Sequence, residues 1–312
     1  MRNDQPLPEG HAPGWNYQEA FSRNLGLVTP EEQEILRTKR VAIAGMGGVG
    51  GIHLITLARL GIGRFTIADP DRFELANFNR QYGAQLRYLG RNKAEVMAEE
   101  ARQINPELDI RVFTEAIGPG NVDAFLEGAD VFLDGIDFFD FDTRALVFRR
   151  ARERGIWGVT AGPIGFSVAW LVFDPKGMSF DQYFAFREGM STLEKVVNFL
   201  VGLAPRATHM AYTDLSYVDP ATGRGPSAGL ACQLCAGVAA AEILKILLRR
   251  PGIKPVPWYS QFDGYRGIFR CGRLSWGVTG PWQRIKTSRV RRILERLLVA
   301  LSNRKKALSP NR

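Results

Sequence analysis

The sequence predicts an α/β fold: a Rossmann-like, mainly parallel sheet with helices on both faces, a crossover insertion and a basic C-terminal helix. Three observations carry this. Short apolar runs alternate with segments of helical period between residues 40 and 160, the pattern of right-handed βαβ units. The first run ends in the glycine loop Gly45-Met46-Gly47-Gly48-Val49-Gly50-Gly51, and a helical pattern comes next. The apolar share of 45% against 23% charged is that of a chain able to bury a core, which excludes disorder for most of it.

Residues 1–16 are rich in Pro and Gly and are expected to be flexible. A helix then starts at Thr29-Pro30-Glu31-Glu32, with Thr as N-cap, Pro at the first position and Glu at the third, satisfying backbone donors that a helix start leaves free. Residues 40–45 read as a buried parallel strand, 50–61 as a helix and 64–69 as a second strand. A helix over 91–105 stops at Pro106, which cannot continue it. Strands are expected at 109–114, 131–134 and 157–160, with helices at 122–127 and 143–155. After Gly165 the pattern changes to a strand at 168–173 and an irregular segment, 174–228, holding one helix near 193–203. An insertion of that length in a compact domain points to substrate handling or a lid. A helix at 230–248 and a strand near 258–262 close a body that ends at residue 282.

Charge is unevenly placed. The net charge is +9, from 41 basic and 32 acidic residues, yet 284–312 holds ten basic side chains and one acidic one. The body is therefore neutral, and the high pI does not argue for a nucleic-acid-binding core. Val290, Ile293, Leu294, Leu297, Leu298 and Leu301 fall at helical spacing among Arg289, Arg291, Arg292 and Arg296. This basic amphipathic tail, 283–312, fits an anionic membrane surface, RNA, an acidic partner or its own body. Residues 303–312 are expected to be disordered. Three cysteines form neither a disulfide framework nor a four-thiolate zinc site. The first residues hold no apolar signal core, and the longest apolar stretch is broken by Glu242 and Lys245, so it reads as a buried helix. The expected compartment is the cytoplasm.

The glycine loop lets backbone N–H groups approach a phosphate, and Asp69 ends the second strand where a ribose hydroxyl lies in such folds. Those features alone fit a nicotinamide enzyme equally well. The residues beyond them do not: Asp69-Pro70-Asp71, then Asn77-Phe78-Asn79-Arg80-Gln81, then Lys93 at a helix start, then Asp137 after the fourth strand. A nucleotidyl transfer needs cations and donors around a triphosphate and a carboxylate for Mg²⁺.

From Asp69, this set has spacings of 8 to Asn77, 11 to Arg80, 24 to Lys93 and 68 to Asp137. In that order it resembles the E1-like adenylyltransferase family, which takes in the ThiF and MoeB sulfur-carrier activators, the ubiquitin-activating enzymes and the tRNA threonylcarbamoyladenosine dehydratases. The resemblance is strong over about 20–165 and weak over 230–270. It implies an adenylation domain over 17–282 that uses ATP and Mg²⁺, with Gly45, Gly47, Gly48 and Gly50 at the phosphates and Asp69 at the ribose. It also implies Asp71, Asn77, Arg80, Gln81 and Lys93 around the nucleotide, with Asp137 as the Mg²⁺ ligand. Phe21-Ser22-Arg23-Asn24 resembles a family motif whose Arg enters the partner subunit's site, so Arg23 implies a homodimer; Asn24 stands where Gln is usual.

Taken singly, Arg80 and Lys93 read as surface charges, and Asp134, Asp137, Asp140 and Asp142 as an acidic loop, with Asp134 the fallback metal ligand. Cys232 and Cys235 read as small buried residues. No cysteine lies between 134 and 231, so no enzyme thioester is expected there, and Cys271 is placed after the last strand. His53 reads as a helix-surface or packing residue and His209 as an exposed loop residue, with substrate contact the other reading. The expected activity is adenylation of a carboxylate on a small ubiquitin-like protein or a peptide. The alternatives are a tRNA threonylcarbamoyladenosine dehydratase-like enzyme and a non-catalytic nucleotide-binding scaffold.

Overall fold

The computed structural model describes residues 14–219 and 225–308; residues 1–13 of the stretch expected to be flexible lie outside them. The chain begins with α1 (Tyr17–Ala20), a 3-10 turn at Ser22–Asn24 and α2 (Pro30–Thr38). Thr29 and Glu32 form the complete capping box of α2, with Pro30 at its first position. Then come β1 (Arg40–Ala44), α3 (Gly50–Arg59), β2 (Arg64–Ala68), α4 (Lys93–Arg102), β3 (Asp109–Phe113), α5 (Val122–Phe125), β4 (Val131–Asp134), α6 (Phe141–Glu153) and β5 (Trp157–Ile164). The remainder is β6 (Ser167–Phe173), α7 (Phe180–Phe184), α8 (Thr192–Leu203), α9 (Gly229–Leu247), β7 (Trp258–Asp263), β8 (Ile268–Arg273) and α10 (Pro281–Leu308).

One sheet runs in the order β3-β2-β1-β4-β5-β6-β7-β8. Strands β1 to β5 pair in parallel, and β6, β7 and β8 are added antiparallel. Side-chain alternation divides the core. Val41 and Ile43 of β1 pack on the face covered by α3, α4 and α9, whereas Ala42 and Ala44 pack on the face covered by α5 to α8 and α10. Because both faces are covered, β1 and β4 are buried along their whole length and read as unbroken apolar runs. After β1 the chain turns to β2 on one side and later returns to β4 on the other. That reversal opens a crevice beyond the carboxyl ends of β1 and β4, the place where open α/β sheets take ligands.

Helix α9 is apolar and long enough to cross a membrane. It packs instead against α3, β5 and β6, with Ala231, Cys232, Cys235, Ala236, Ala239, Ala240, Ile243 and Ile246 buried in the core, as the sequence implies.

Several expectations need correction. Helix α6 starts at Phe141, not 143, because the Asp140 carboxylate caps it by accepting from Thr143 N–H at 3.1 Å. Strand β5 runs to Ile164, since it continues into a hairpin whose last pair is Ile164 with Ser167. Strand β8 was not foreseen; it is a half-exposed edge strand with little apolar alternation, and Cys271 lies inside it. Among its described residues, segment 174–228 holds α7 and two 3-10 turns besides α8. Helix α10 reaches Leu308, so residues 303–308 are helical; 309–312 lie outside the described residues. Its Val290, Leu294 and Leu297 join the core beside α8. Arg291 pairs with Glu194 of α8 at 3.0 Å, and Lys286 donates to the Pro205 carbonyl at 2.7 Å. Arg284, Arg289, Arg292 and Arg296 stay exposed.

Candidate nucleotide site

The glycine loop crosses the crevice between β1 and α3. Its glycines have two distinct jobs. Gly45 has φ +88°, a left-handed conformation, and a methyl carbon on Gly50 would collide with the Gly45 carbonyl oxygen. Only glycine folds the turn this tightly. At Gly47 and Gly48 the added carbon would instead face side chains: Gln81 Nε2 at 3.5 Å, and Cys232 Sγ at 3.3 Å with Arg80 Cδ at 3.8 Å. The open side of the loop therefore looks onto Arg80 and Gln81, two of the residues the sequence assigns to the triphosphate.

Asp69 is buried behind the loop. Its Oδ2 accepts from Met46 N–H at 2.6 Å and its Oδ1 from Asp71 N–H at 2.8 Å, so this carboxylate pins the loop while keeping lone pairs for a ribose. Burial raises its pKa, and the nearby Lys93 charge works the other way. Lys93 opens α4 with its ammonium 2.9 Å from Asp71 Oδ2; the lysine side chain is 7% exposed and the aspartate 67%. Asn92 caps α4 by accepting from Glu95 N–H and also donates to the Asp69 carbonyl at 3.0 Å, tying the helix start to the loop.

Residues 77–81 form a tight turn. The Asn77 side chain accepts from Glu74 N–H at 2.9 Å, and its carbonyl accepts from the N–H groups of Arg80 and Gln81. Asn77 thus shapes the turn that presents its neighbours. Arg80 uses Nη1 to hold the Ala76 carbonyl and Asn79 Oδ1. Asn79 in turn donates to the Ser227 carbonyl at 2.8 Å, which fastens the turn to the start of α9. Gln81 Oε1 is buried without a partner.

The carboxylates after β4 separate cleanly. Asp134 is buried and saturated: Oδ2 accepts from Arg144 Nε at 2.9 Å and Thr160 Oγ1 at 2.8 Å, and Oδ1 from Ile136 N–H. Arg144 also donates to the carbonyls of Ile136, Asp137 and Phe138, clamping the loop. Asp137 is exposed, and its Oδ1 accepts from Phe139 N–H at 3.0 Å. Of the two, only Asp137 offers a carboxylate to a cation, because both oxygens of Asp134 are already engaged by protein donors. Sequence reasoning missed Arg144, Thr160 and Asn79, because nothing in the chain marks an arginine in mid-helix as a loop clamp.

Arg23 lies exposed in the 3-10 turn after α1, and Asn24 holds that turn by donating to Gln33 Oε1 and the Leu60 carbonyl. Exposed Leu25 and Leu27 come next, and Leu75, Phe78, Tyr82, Leu86 and Leu89 are exposed on the segment that carries Arg80. His53 is buried on α3 with both ring nitrogens unpartnered, and desolvation pushes its pKa down to about 3. It is a packing residue. The Cys232 and Cys235 thiols are buried; burial raises Cys232 to about 11 and Cys235 further. Both stay protonated and poor nucleophiles, although Cys232 lies beside the loop under the Arg80 charge.

An anionic nucleotide fits this set: a glycine cradle and two cations for the phosphates, and an idle buried amide oxygen that can accept from a hydroxyl or amino group. Among the described residues no three His, Cys, Asp or Glu gather as a metal cluster. Mg²⁺ commonly needs only one or two carboxylates when phosphates supply the rest, and Asp137 meets that need.

Residues 21–275 match the ThiF family, and the chain belongs to it. A tRNA threonylcarbamoyladenosine dehydratase of Haemophilus influenzae is 34% identical over 151 residues, covering 48% of this chain and 57% of the relative. The SAMP-activating enzyme E1 of Haloferax volcanii is 33% identical over 138 residues, 44% of this chain and 50% of the relative. The chain thus spans about half the length of the curated relatives it matches. A crystal structure of Escherichia coli MccB with ATP aligns with TM-score 0.64 at 19% identity, over 83% of this chain and 71% of that one. That likeness shows the shared fold.

Proposed function

We propose that the protein adenylates a carboxylate with ATP. The observation that carries this is Arg80 and Gln81 facing a glycine loop whose open side carries no side chain, with Lys93 close to the Asp69 that pins the loop. The backbone at Gly47 and Gly48 would lie along the phosphates. Arg80 and Lys93 would stabilise charge developing as the substrate carboxylate attacks the α-phosphorus and pyrophosphate leaves. Asp69 would hold the ribose. The carboxylate is already ionised at neutral pH, so this half-reaction needs no base. Asp137 would hold Mg²⁺, which neutralises phosphate charge when bound.

We further propose a homodimer in which a second copy covers the exposed apolar residues beside Arg23 and Arg80, and Arg23 enters the partner's site. A nucleotide-binding scaffold without chemistry fits less well, since the cations and the free carboxylate are all present. For the substrate, the likeness to the Haemophilus influenzae dehydratase favours an RNA-borne carboxylate over the C-terminus of a small protein or peptide. The exposed arginines of α10 suit an RNA backbone, an anionic membrane being the other surface they fit. The three free cysteines accord with a cytoplasmic site of action. The test is ATP–pyrophosphate exchange with two substrates, tRNA bearing threonylcarbamoyladenosine and a peptide with a Gly-Gly carboxyl end. Exchange with either supports adenylation; tight ATP binding with exchange on neither counts against it.

A further inference from the structure

An adenylate is only half a reaction: some nucleophile must take the acyl group. The thiols near the loop are buried and protonated, the crossover segment holds no cysteine between 134 and 231, and the part-exposed Cys271 lies on the edge strand β8, so the acceptor is taken to be an N–H or O–H group of the substrate or of a second molecule. A neutral N–H or O–H nucleophile must lose a proton as it attacks, and a base has to be near.

One cluster supplies such a base. It lies where residues 206–212 of the crossover segment cover the ends of β5, β6 and β7. Asp263 ends β7 at 0% exposure. Its Oδ1 accepts from Arg266 N–H at 3.1 Å and Tyr212 OH at 3.4 Å, and its Oδ2 has no partner. His209 lies within the field of this carboxylate without a hydrogen bond to it, and its Nδ1 is buried and also unpartnered, so His209 is not the exposed loop residue its sequence context suggests. Gln261, two residues earlier on the same face of β7, leaves Nε2 idle, as Thr208 does Oγ1. Its other amide atom accepts from Arg206 N–H at 2.9 Å. Four idle polar atoms in one buried spot are costly, about 1–3 kcal/mol each, and folded interiors hold few of them.

The cluster connects directly with the nucleotide site. A methyl carbon on Gly165, in the turn between β5 and β6, would stand 3.2 Å from His209 Cβ and 2.9 Å from the Tyr212 ring. Gly165 bridges to Ser227. The Ser227 carbonyl accepts from Asn79, and Asn79 accepts from Arg80. The turn after β5 lies at the same end of the sheet as the Asp137 loop after β4.

We propose that His209 is the general base of the second half-reaction and that Asp263 is its positioning residue. This rests on the adenylation reading. The acceptor's N or O forms a bond to the acyl carbon, the bond from that carbon to the phosphate oxygen breaks, and AMP leaves with the electron pair. The acceptor's proton passes to the His209 imidazole, and the negative charge of the nearby Asp263 carboxylate favours the resulting imidazolium. Burial pushes the His209 pKa down to about 4, with the Asp263 charge working the other way, so the base form is present at pH 7.

The test separates the two half-reactions. For His209→Gln, pyrophosphate exchange on the carboxylate that serves the unaltered protein should stay within about twofold. AMP release should fall about 10²–10⁴-fold while acyl-adenylate accumulates. Hydroxylamine, which attacks without a base, should restore AMP release as the hydroxamate forms, and added imidazole should restore part of the rate in His209→Gly. Asp263→Asn should lower AMP release and shift its pH profile with exchange intact. AMP release at the normal rate in a folded His209→Gln variant overturns the proposal, as does equal loss of exchange and release. Absence of exchange in the unaltered protein fails the adenylation reading instead.

Discussion

At the residue scale, the site separates groups that bind from groups that hold the binders. Arg80→Ala and Lys93→Ala should each lower pyrophosphate exchange about 10²–10³-fold, the usual cost of removing a preorganised charge, with the melting temperature little changed for the half-buried Arg80. Asp137→Ala should abolish Mg²⁺-dependent exchange and leave stability near normal, because the side chain is exposed. Arg144→Ala should behave in the opposite way. It strands Asp134 as an unpaired buried charge, which costs about 3–5 kcal/mol, and urea unfolding should show it. The histidines add a pH dependence. His53 and His209 have folded pKa values near 3 and 4 against 6.5. Below pH 6.5 the unfolded chain takes up protons the folded chain refuses, so stability falls as pH drops toward those values, by at most about 1.4 kcal/mol per pH unit each. His53→Leu should flatten that acid slope between pH 6 and 4.

At the element scale, the sequence and the structure agree where local chemistry decides and part where packing does. The cap of α2, the glycine turn and the strands β1, β2 and β4 were legible from Thr29-Pro30, the Gly45–Gly51 run and unbroken apolar stretches. The proposed roles of Arg80 and Lys93 come only from the spacing of the whole set, since each alone reads as a surface charge. Strand β8 was hidden because an edge strand with one half-wet face lacks a period. The Asp134–Arg144–Thr160 clamp joins residues from β4, α6 and β5, and no local pattern reports a contact made across three elements. The docking of α10 was one of four readings its amphipathic pattern allowed, and only the packing of Val290, Leu294 and Leu297 on the body selects it. Truncation before Pro281 removes Val290, Leu294 and Leu297 and should uncover the α8 surface they cover, lowering the melting temperature by several degrees. Charge reversal at exposed Arg289, Arg292 and Arg296 should leave it nearly unchanged.

At the scale of the whole molecule, an electrically neutral body carries the proposed chemistry, and the charge excess lies on one docked helix. If Arg23 acts across a dimer, Arg23→Ala and Lys93→Ala subunits, each inactive alone, should regain activity when mixed, because one site of each mixed dimer is complete. The account as a whole rests on ATP being split between AMP and pyrophosphate at the glycine loop. The most direct measurement is carboxylate-dependent ATP–pyrophosphate exchange by the purified protein, alongside Arg80→Ala. Exchange that needs both Mg²⁺ and the carboxylate, and that drops at least a hundredfold in the variant, is the predicted result. Exchange absent for both tRNA and peptide carboxylates while ATP binds, or unaffected by loss of Arg80, would contradict it.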